Sequence, residues 1–308
     1  MLCKAVSELT MGWWSCRMNQ AILESGPSMI TSDSLRLPPL SCDTHSHIYG
    51  DSRAYPVLSG QQVHPNTSLD DYLAVATRLG VERFVLVQPK AYGCDTRCML
   101  DALNRLGIYR ARGIIMPDES LSQQELKQLD EAGIRGVRFL FPDNSPLDLA
   151  AIGRTARQIA SLGWSLIVQG DGPVLAQSTD ALLNLPCPVV IDHLGRLPPE
   201  FAVDSAEFTS LLTFVSKGGW FKFAAPYYST PAREADFTML ESRLHALLDA
   251  GMERIVWGMN WPHPNFPPDG KPNDLNCLQS LLSVLRSDTE RSAVFVHNPA
   301  SIYGFANT

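Results

Sequence analysis

GVRFLF at residues 136–141, LAAIGRTARQIASLG at 149–163 and SLIVQG at 165–170 follow one another along the chain. Two short apolar runs thus flank a longer segment with apolar residues at helical spacing, closed by Gly163. That order is the signature of a parallel strand pair with its crossover helix, because parallel strands cannot be joined by a tight turn. Working outward, PVVIDH (188–193), WFKFAA (220–225) and RIVWGM (254–259) continue the strand-like series, and RGIIMP (112–117), RFVLVQ (83–88) and the run into Asp43 to His47 precede it. The helix-like segments LDDYLAVATRLG (69–80), LSQQELKQLDEAG (121–133) and MLESRLHALLDAG (239–251) lie between them and end in glycine, the residue favoured at a left-handed helix C-terminus. Eight strand-like runs without a composition break predict an α/β fold, a (β/α)8 TIM-type barrel in a single domain. A doubly wound sheet is the alternative. No run is followed by GxGxxG or a Walker-type GK[ST], however, and no internal repeat or low-complexity tract is present.

The chain has 308 residues, of which 45% are hydrophobic and 19% charged, enough apolar material for a full core. Residues 1–38 show little periodicity and end in the proline-rich LRLPPLS, so they read as an N-terminal extension, poorly ordered or wrapping, ahead of a barrel at 39–308. Twenty-five basic against 32 acidic residues give a net charge of −7, and the basic residues are scattered, which argues against a nucleic-acid surface. An anionic small molecule stays admissible, because a few arginines in a cleft can reverse the local potential. Seven cysteines without a CxxC pair suit reduced thiols in the cytoplasm. No apolar stretch is long enough to cross a bilayer, and the N-terminal MLCKAVSELTMGWWSCRM lacks the apolar core of a secretory signal. The reading is therefore a soluble protein with no membrane partner; a homo-oligomer is left open.

In a barrel the chemistry sits at the C-terminal ends of the strands, and polar residues concentrate there. The first run ends in Asp43-Thr44-His45-Ser46-His47, where strand alternation points His45 and His47 to the same side. The second is followed by Lys90 and Tyr92, the fourth contains Arg138, and the fifth ends in Gln169-Gly170-Asp171. The sixth closes with Asp192, His193 and Arg196, the seventh carries Lys222, and the eighth runs into Asn260 and His263. Imidazoles converging on a barrel axis suit metal ligation or polarisation of a substrate. Arginine forks such as those of Arg138 and Arg196, helped by Lys90, suit carboxylate or sulfonate groups.

Six motifs in order, CDTHSHIYG, VQPKAYGCD, GVRFLF, DHLGR, WGMNWPHP and NPASIYGF, spread over about residues 40 to 306. In them the chain resembles the amidohydrolase-related family that contains 2-pyrone-4,6-dicarboxylate lactonase and related sugar and muconolactone hydrolases. The resemblance implies a (β/α)8 barrel that hydrolyses a small anionic lactone from aromatic-compound breakdown. It assigns the strand-one pair to His45 and His47, the strand-six histidine to His193, and anion-binding arginines to Arg196 and Arg138. Tyr92, Lys222 and His263 join Lys90 as expected substrate contacts.

One departure matters chemically. The family's WGxDWPHP motif carries an aspartate that acts as general base, and here that position is Asn260, a carboxamide that accepts no proton at neutral pH. Three explanations stay open. A divalent metal ion such as Zn²⁺, held by His45, His47 and His193, could activate water. Alternatively Asp171, Asp192 or His263 serves as base without metal, or hydrolysis has been lost and the barrel only binds its ligand. A metal-dependent aromatic-acid decarboxylase is a further reading. Lys90 stands where the family commonly has serine, and Tyr227-Tyr228 where it commonly has arginine, so the substrate contacts differ.

Overall fold

The computed structural model describes residues 36–306 apart from positions 62 and 64. The first 35 residues of the expected N-terminal extension lie outside the described residues. From Arg36 onward the chain forms one compact unit.

Eight strands form one parallel sheet in sequence order. They are β1 (Cys42–Ser46), β2 (Arg83–Val87), β3 (Ala111–Ile115), β4 (Ile134–Leu140), β5 (Ser165–Gln169), β6 (Val189–Ile191), β7 (Trp220–Phe223) and β8 (Ile255–Trp257). Each is followed by a helix: α1 (Leu69–Leu79), α2 (Arg97–Leu106), α3 (Gln123–Glu131), α4 (Leu149–Ile159), α5 (Gly172–Leu183), α6 (Ala206–Ser216), α7 (Glu241–Gly251) and α8 (Asp274–Val284). The fold is the expected (β/α)8 barrel. Local chemistry starts and stops its helices. Ser68 and Asp71 form a capping box on α1 and Ser122 and Glu125 one on α3, and Gly80 closes α1 in the left-handed region at φ 80°.

Alternation along the strands divides the apolar residues into two layers. Phe84, Leu86, Leu166, Val168, Phe221 and Phe223 pack outward against the helices, while Val85, Val87, Ile114, Ile167, Val190 and Val256 fill the barrel. The C-terminal segment closes its floor: Ile302, Tyr303 and Phe305 join the inner layer, and Arg112 donates to the carbonyls of Tyr303 and Gly304 at 3.0 and 2.5 Å. Filled from below, the barrel leaves its upper end for polar groups.

Closure between β1 and β8 is what builds that upper end. The Thr44 hydroxyl donates to the Trp257 carbonyl at 2.6 Å, the Asn260 N–H to the His45 carbonyl at 2.7 Å, and the His47 N–H to the Trp261 carbonyl at 2.8 Å. Asp43 locks the same seam from outside. Its buried carboxylate accepts from the backbone N–H groups of His45 and Met259, both at 2.9 Å, from the Tyr72 hydroxyl of α1 at 2.7 Å and from the Ser46 hydroxyl. Asp43→Ala strands all four donors in the interior. It should cost about 3–5 kcal/mol of unfolding free energy by urea denaturation, and a loss below about 1 kcal/mol would contradict this role.

Candidate active site

The residues at the upper end of the barrel surround a cavity of about 580 Å³, within the range for a small organic ligand. His47, Tyr49, Gln61, Lys90, Arg138, Gln169, His193, Tyr228, Asn260 and Asn265 are among the residues that line it. Among the described residues, none that lines it is an aspartate or glutamate.

Beneath the cavity lies Asp192, fully buried just after β6. Its Oδ1 is 3.2 Å from His45 Nδ1 and 3.7 Å from Lys222 Nζ, and its Oδ2 is 3.4 Å from Arg138 Nε and 3.5 Å from His193 Nε2. Burial alone would push this carboxyl up, but His193, His45 and Lys222 outweigh it and hold it well below the usual carboxylate range. The turn after it is left-handed at four successive residues, His193 to Arg196 at φ 49°, 55°, 67° and 48°. Only one of the four is glycine, a costly conformation kept in register by the His193 N–H donating to Asp192 Oδ1 at 3.2 Å. The turn carries His193 back over the cavity.

The histidines form one cluster. His45 Nε2 and His47 Nε2 are 3.2 Å apart, and the His45 and His193 ring centroids are 4.6 Å apart with the planes tilted by 42°. Gly258 makes room for them: a Cβ there would lie 2.5 Å from the Cβ of His45. His47 Nδ1 donates to the Val87 carbonyl at 2.8 Å, so its Nε2 carries the lone pair. His45 then has two ways to satisfy the pair. It can donate from Nε2 to His47 while Lys222 Nζ, 3.4 Å away, faces its Nδ1. Alternatively it donates from Nδ1 to Asp192, leaving two lone pairs converged on one point. The second arrangement suits a cation, since 3.2 Å is near the edge of a tetrahedron of nitrogens about 2.0–2.1 Å from zinc. Ligand atoms of His45, Asp192 and His193 also lie within 4.8 Å of one another, and His193 Nδ1 has no hydrogen-bond partner. His45, Asp192 and His193 thus form a donor group that fits a divalent metal, taking in two of the three histidines read from the sequence and adding Asp192.

The remaining expected contacts divide into cavity wall and support. Lys90 and Arg138 line the cavity, and Arg138 also donates to the Gln169 side chain. Lys222 does not line it. It sits one position before the end of the Trp220–Phe223 run, fully buried, and donates to the Thr44 carbonyl at 3.0 Å. The Tyr92 hydroxyl is turned away and accepts the Gly50 N–H at 2.9 Å. Arg196 lies behind the wall, paired with Asp143 at 2.6 Å and stacked 4.6 Å from the Tyr228 ring centre. His263 is shielded by Tyr227, whose hydroxyl is 3.1 Å from its Nδ1. Of the three side chains considered as substitute bases, none lines the cavity. Asp171 is engaged by the Asn144 N–H at 3.0 Å at the start of α5, Asp192 lies under its cations, and His263 is behind Tyr227.

The amidohydrolase family model matches residues 42–305 of the chain. The chain belongs to that family. The 4-sulfomuconolactone hydrolase of Hydrogenophaga intermedia is 30% identical to this amidohydrolase over 275 residues, covering 87% of this chain and 90% of that protein. The 2-pyrone-4,6-dicarboxylate hydrolase of Comamonas testosteroni is 30% identical over 282 residues, covering 87% and 91%. Among solved structures, an Agrobacterium tumefaciens protein in its apo form superposes with a TM-score of 0.78 at 25% identity, covering 89% of this chain and 98% of the other.

Burial drives His47 and His193 down to about 3, with Arg138 adding to the effect in both, and Asp192 only partly offsets it. Both rings are neutral in the folded protein at pH 7, while their unfolded values stay near 6.5. The unfolded chain therefore binds more protons below pH 6.5, and stability that is complete above that value falls as pH drops toward 3, by up to about 1.4 kcal/mol per pH unit for each ring. Thermal unfolding should show the midpoint falling steeply from pH 7.5 to 5. A flat midpoint would mean that these rings are not buried neutral.

Proposed function

We propose that this amidohydrolase opens the ring ester of a small anionic lactone of the carboxy- or sulfo-substituted kind met in aromatic-compound breakdown. The observation that carries the reading is a cavity wall with Lys90 and Arg138 and, among the described residues, no carboxylate, standing against a cluster of three histidines. The relatives named as hydrolases of sulfomuconolactone and pyrone-dicarboxylate support the same substrate class. Lys90 and Arg138 hold the acidic substituent, the guanidinium by its planar fork. That contact places the ring carbonyl against the histidine cluster, where oxyanion stabilisation contributes most to acyl transfer.

Asn260 accepts a hydrogen bond from the attacking water and orients it, but leaves the proton to another group. Without a metal ion, His193 is the chain's acceptor in the cavity wall, a weak base at neutral pH because burial lowers it to about 3. Its Nδ1 is unpartnered, and Asp192 beside its Nε2 steadies the imidazolium that forms. A divalent ion such as Zn²⁺, held by His45, His47 and His193, would supply Lewis-acid activation and an acidified water at the same place. The five described cysteines are all free, which supports a reducing, cytoplasmic setting. Among the described residues no helix is long and apolar enough to cross a membrane.

The test is a panel of carboxylated and sulfonated lactones, assayed for acid release with and without chelator. Wild-type enzyme should open at least one of them, and His193→Ala should lower kcat at least a hundredfold. Full turnover by that variant would remove His193 from the chemistry. Activity surviving complete metal removal would assign proton transfer to the chain alone. Asn260 also favours a second reading, a barrel that binds such lactones without turning them over. Tight binding with no acid release, together with activity gained in Asn260→Asp, would establish it.

A further inference from the structure

Behind Asn260 runs a chain of polar side chains that the mechanism above leaves unused. Asp274, the first residue of α8, lies 3.0 Å from His263 Nε2. His263 Nδ1 is 3.1 Å from the Tyr227 hydroxyl, and that hydroxyl accepts from Asn260 Nδ2 at 2.6 Å. Tyr227, His263 and Asn260 are each 1–2% exposed, so each link depends on its protein neighbour rather than on bulk water. Asp274 is the outer end, with its side chain 18% exposed.

With the His263 ring neutral, hydrogen-bond direction passes along this chain in one sense. A carboxylate only accepts, so His263 must carry a proton on Nε2, and the neutral ring then has its lone pair on Nδ1. Tyr227 has a single proton and must give it to that lone pair. Its oxygen is left to accept, which draws the NH₂ end of the Asn260 side chain. The carbonyl Oδ1 is the end that remains for the cavity Asn260 lines.

We propose that Asp274 is a positioning residue: through His263 and Tyr227 it fixes the Asn260 carboxamide with its acceptor oxygen, not its NH₂ group, toward the bound water. This rests on the reading of Asn260 as the water-orienting group. Remove the carboxylate and the other direction becomes accessible. His263 can carry its proton on Nδ1 and donate to Tyr227, Tyr227 donates to Asn260 Oδ1, and the amide turns its donor end to the cavity. An aspartate at position 260 has two equivalent oxygens and no such choice to make. An asparagine does, and this relay makes it.

The experiment measures the His263 tautomer by ¹⁵N NMR of the imidazole, assigned with His263→Gln, in wild type, Asp274→Leu and Asp274→Glu, alongside kcat and KM for lactone opening. The expected results are Nε2–H in wild type, a shift toward Nδ1–H in Asp274→Leu, a fall in kcat of at least tenfold with KM within about twofold, and recovery of both tautomer and kcat in Asp274→Glu. A proton on Nδ1 in the wild type overturns the proposal even if Asp274→Leu does not fold. So does wild-type kcat in an Asp274→Leu protein whose tautomer has changed. The NMR measurement needs no substrate, so a wild-type protein that opens no lactone would sink the catalytic reading without deciding the relay.

Discussion

A fully buried carboxylate at the base of the cavity is the constraint on which the rest of the site depends. Asp192 is fully buried, and a lone charge there would be intolerable. It stays ionised because His45 of β1, Arg138 of β4, Lys222 of β7 and its own neighbour His193 surround it. These groups come from four parts of the sequence that meet only when the barrel closes. Removing one member of such a set leaves the others buried and unpaired, which is commonly far costlier than losing a surface pair. The hydrogen bonds of the β1–β8 seam therefore serve two ends at once, sealing the barrel and assembling the charge cluster.

The same carboxylate bears on the chemistry above it. By orienting His45 and His193 it decides which imidazole nitrogens face the cavity with lone pairs, and whether those lone pairs find a proton or a metal ion. Arg138 meets Asp192 with its Nε and Gln169 with one terminal nitrogen, so it is anchored while lining the cavity. Lys90 has no such partner among the described residues and adds an exposed positive charge at the cavity wall. The overall charge of −7 is thus an average over a surface whose cavity wall contains cations and, among the described residues, no carboxylates.

Most of the barrel was legible in the sequence because its strands are buried on both faces and read as unbroken apolar runs. The helices α2, α5, α6 and α8 were not singled out. GPVLAQSTDALL of α5 and AEFTSLLTFVS of α6, for instance, have weak polar faces or several hydroxyl residues that blur helical spacing. Among site residues, those on strands were placed best. Alternation correctly predicted that His45 and His47 share a side, and Arg138 reaches the cavity from β4. Tyr92, Arg196 and His263 lie in the turns after strands, where no period fixes side-chain direction, and each points to a backbone group, an acid or a tyrosine instead. Lys222 is on a strand but one layer too deep. Asp274 gave no signal at all, because its connection to Asn260 runs through two side chains, one of them from another loop.

The central claim is that water adds to the ring carbonyl of a lactone held by this cluster. The most direct measurement is turnover of a sulfonated or carboxylated muconolactone in H₂¹⁸O, with mass analysis of the product. The account predicts a ring-opened acid bearing one ¹⁸O in its newly formed carboxylate. An unlabelled isomer, release of CO₂ with the lactone intact, or no turnover across the substrate class would contradict it.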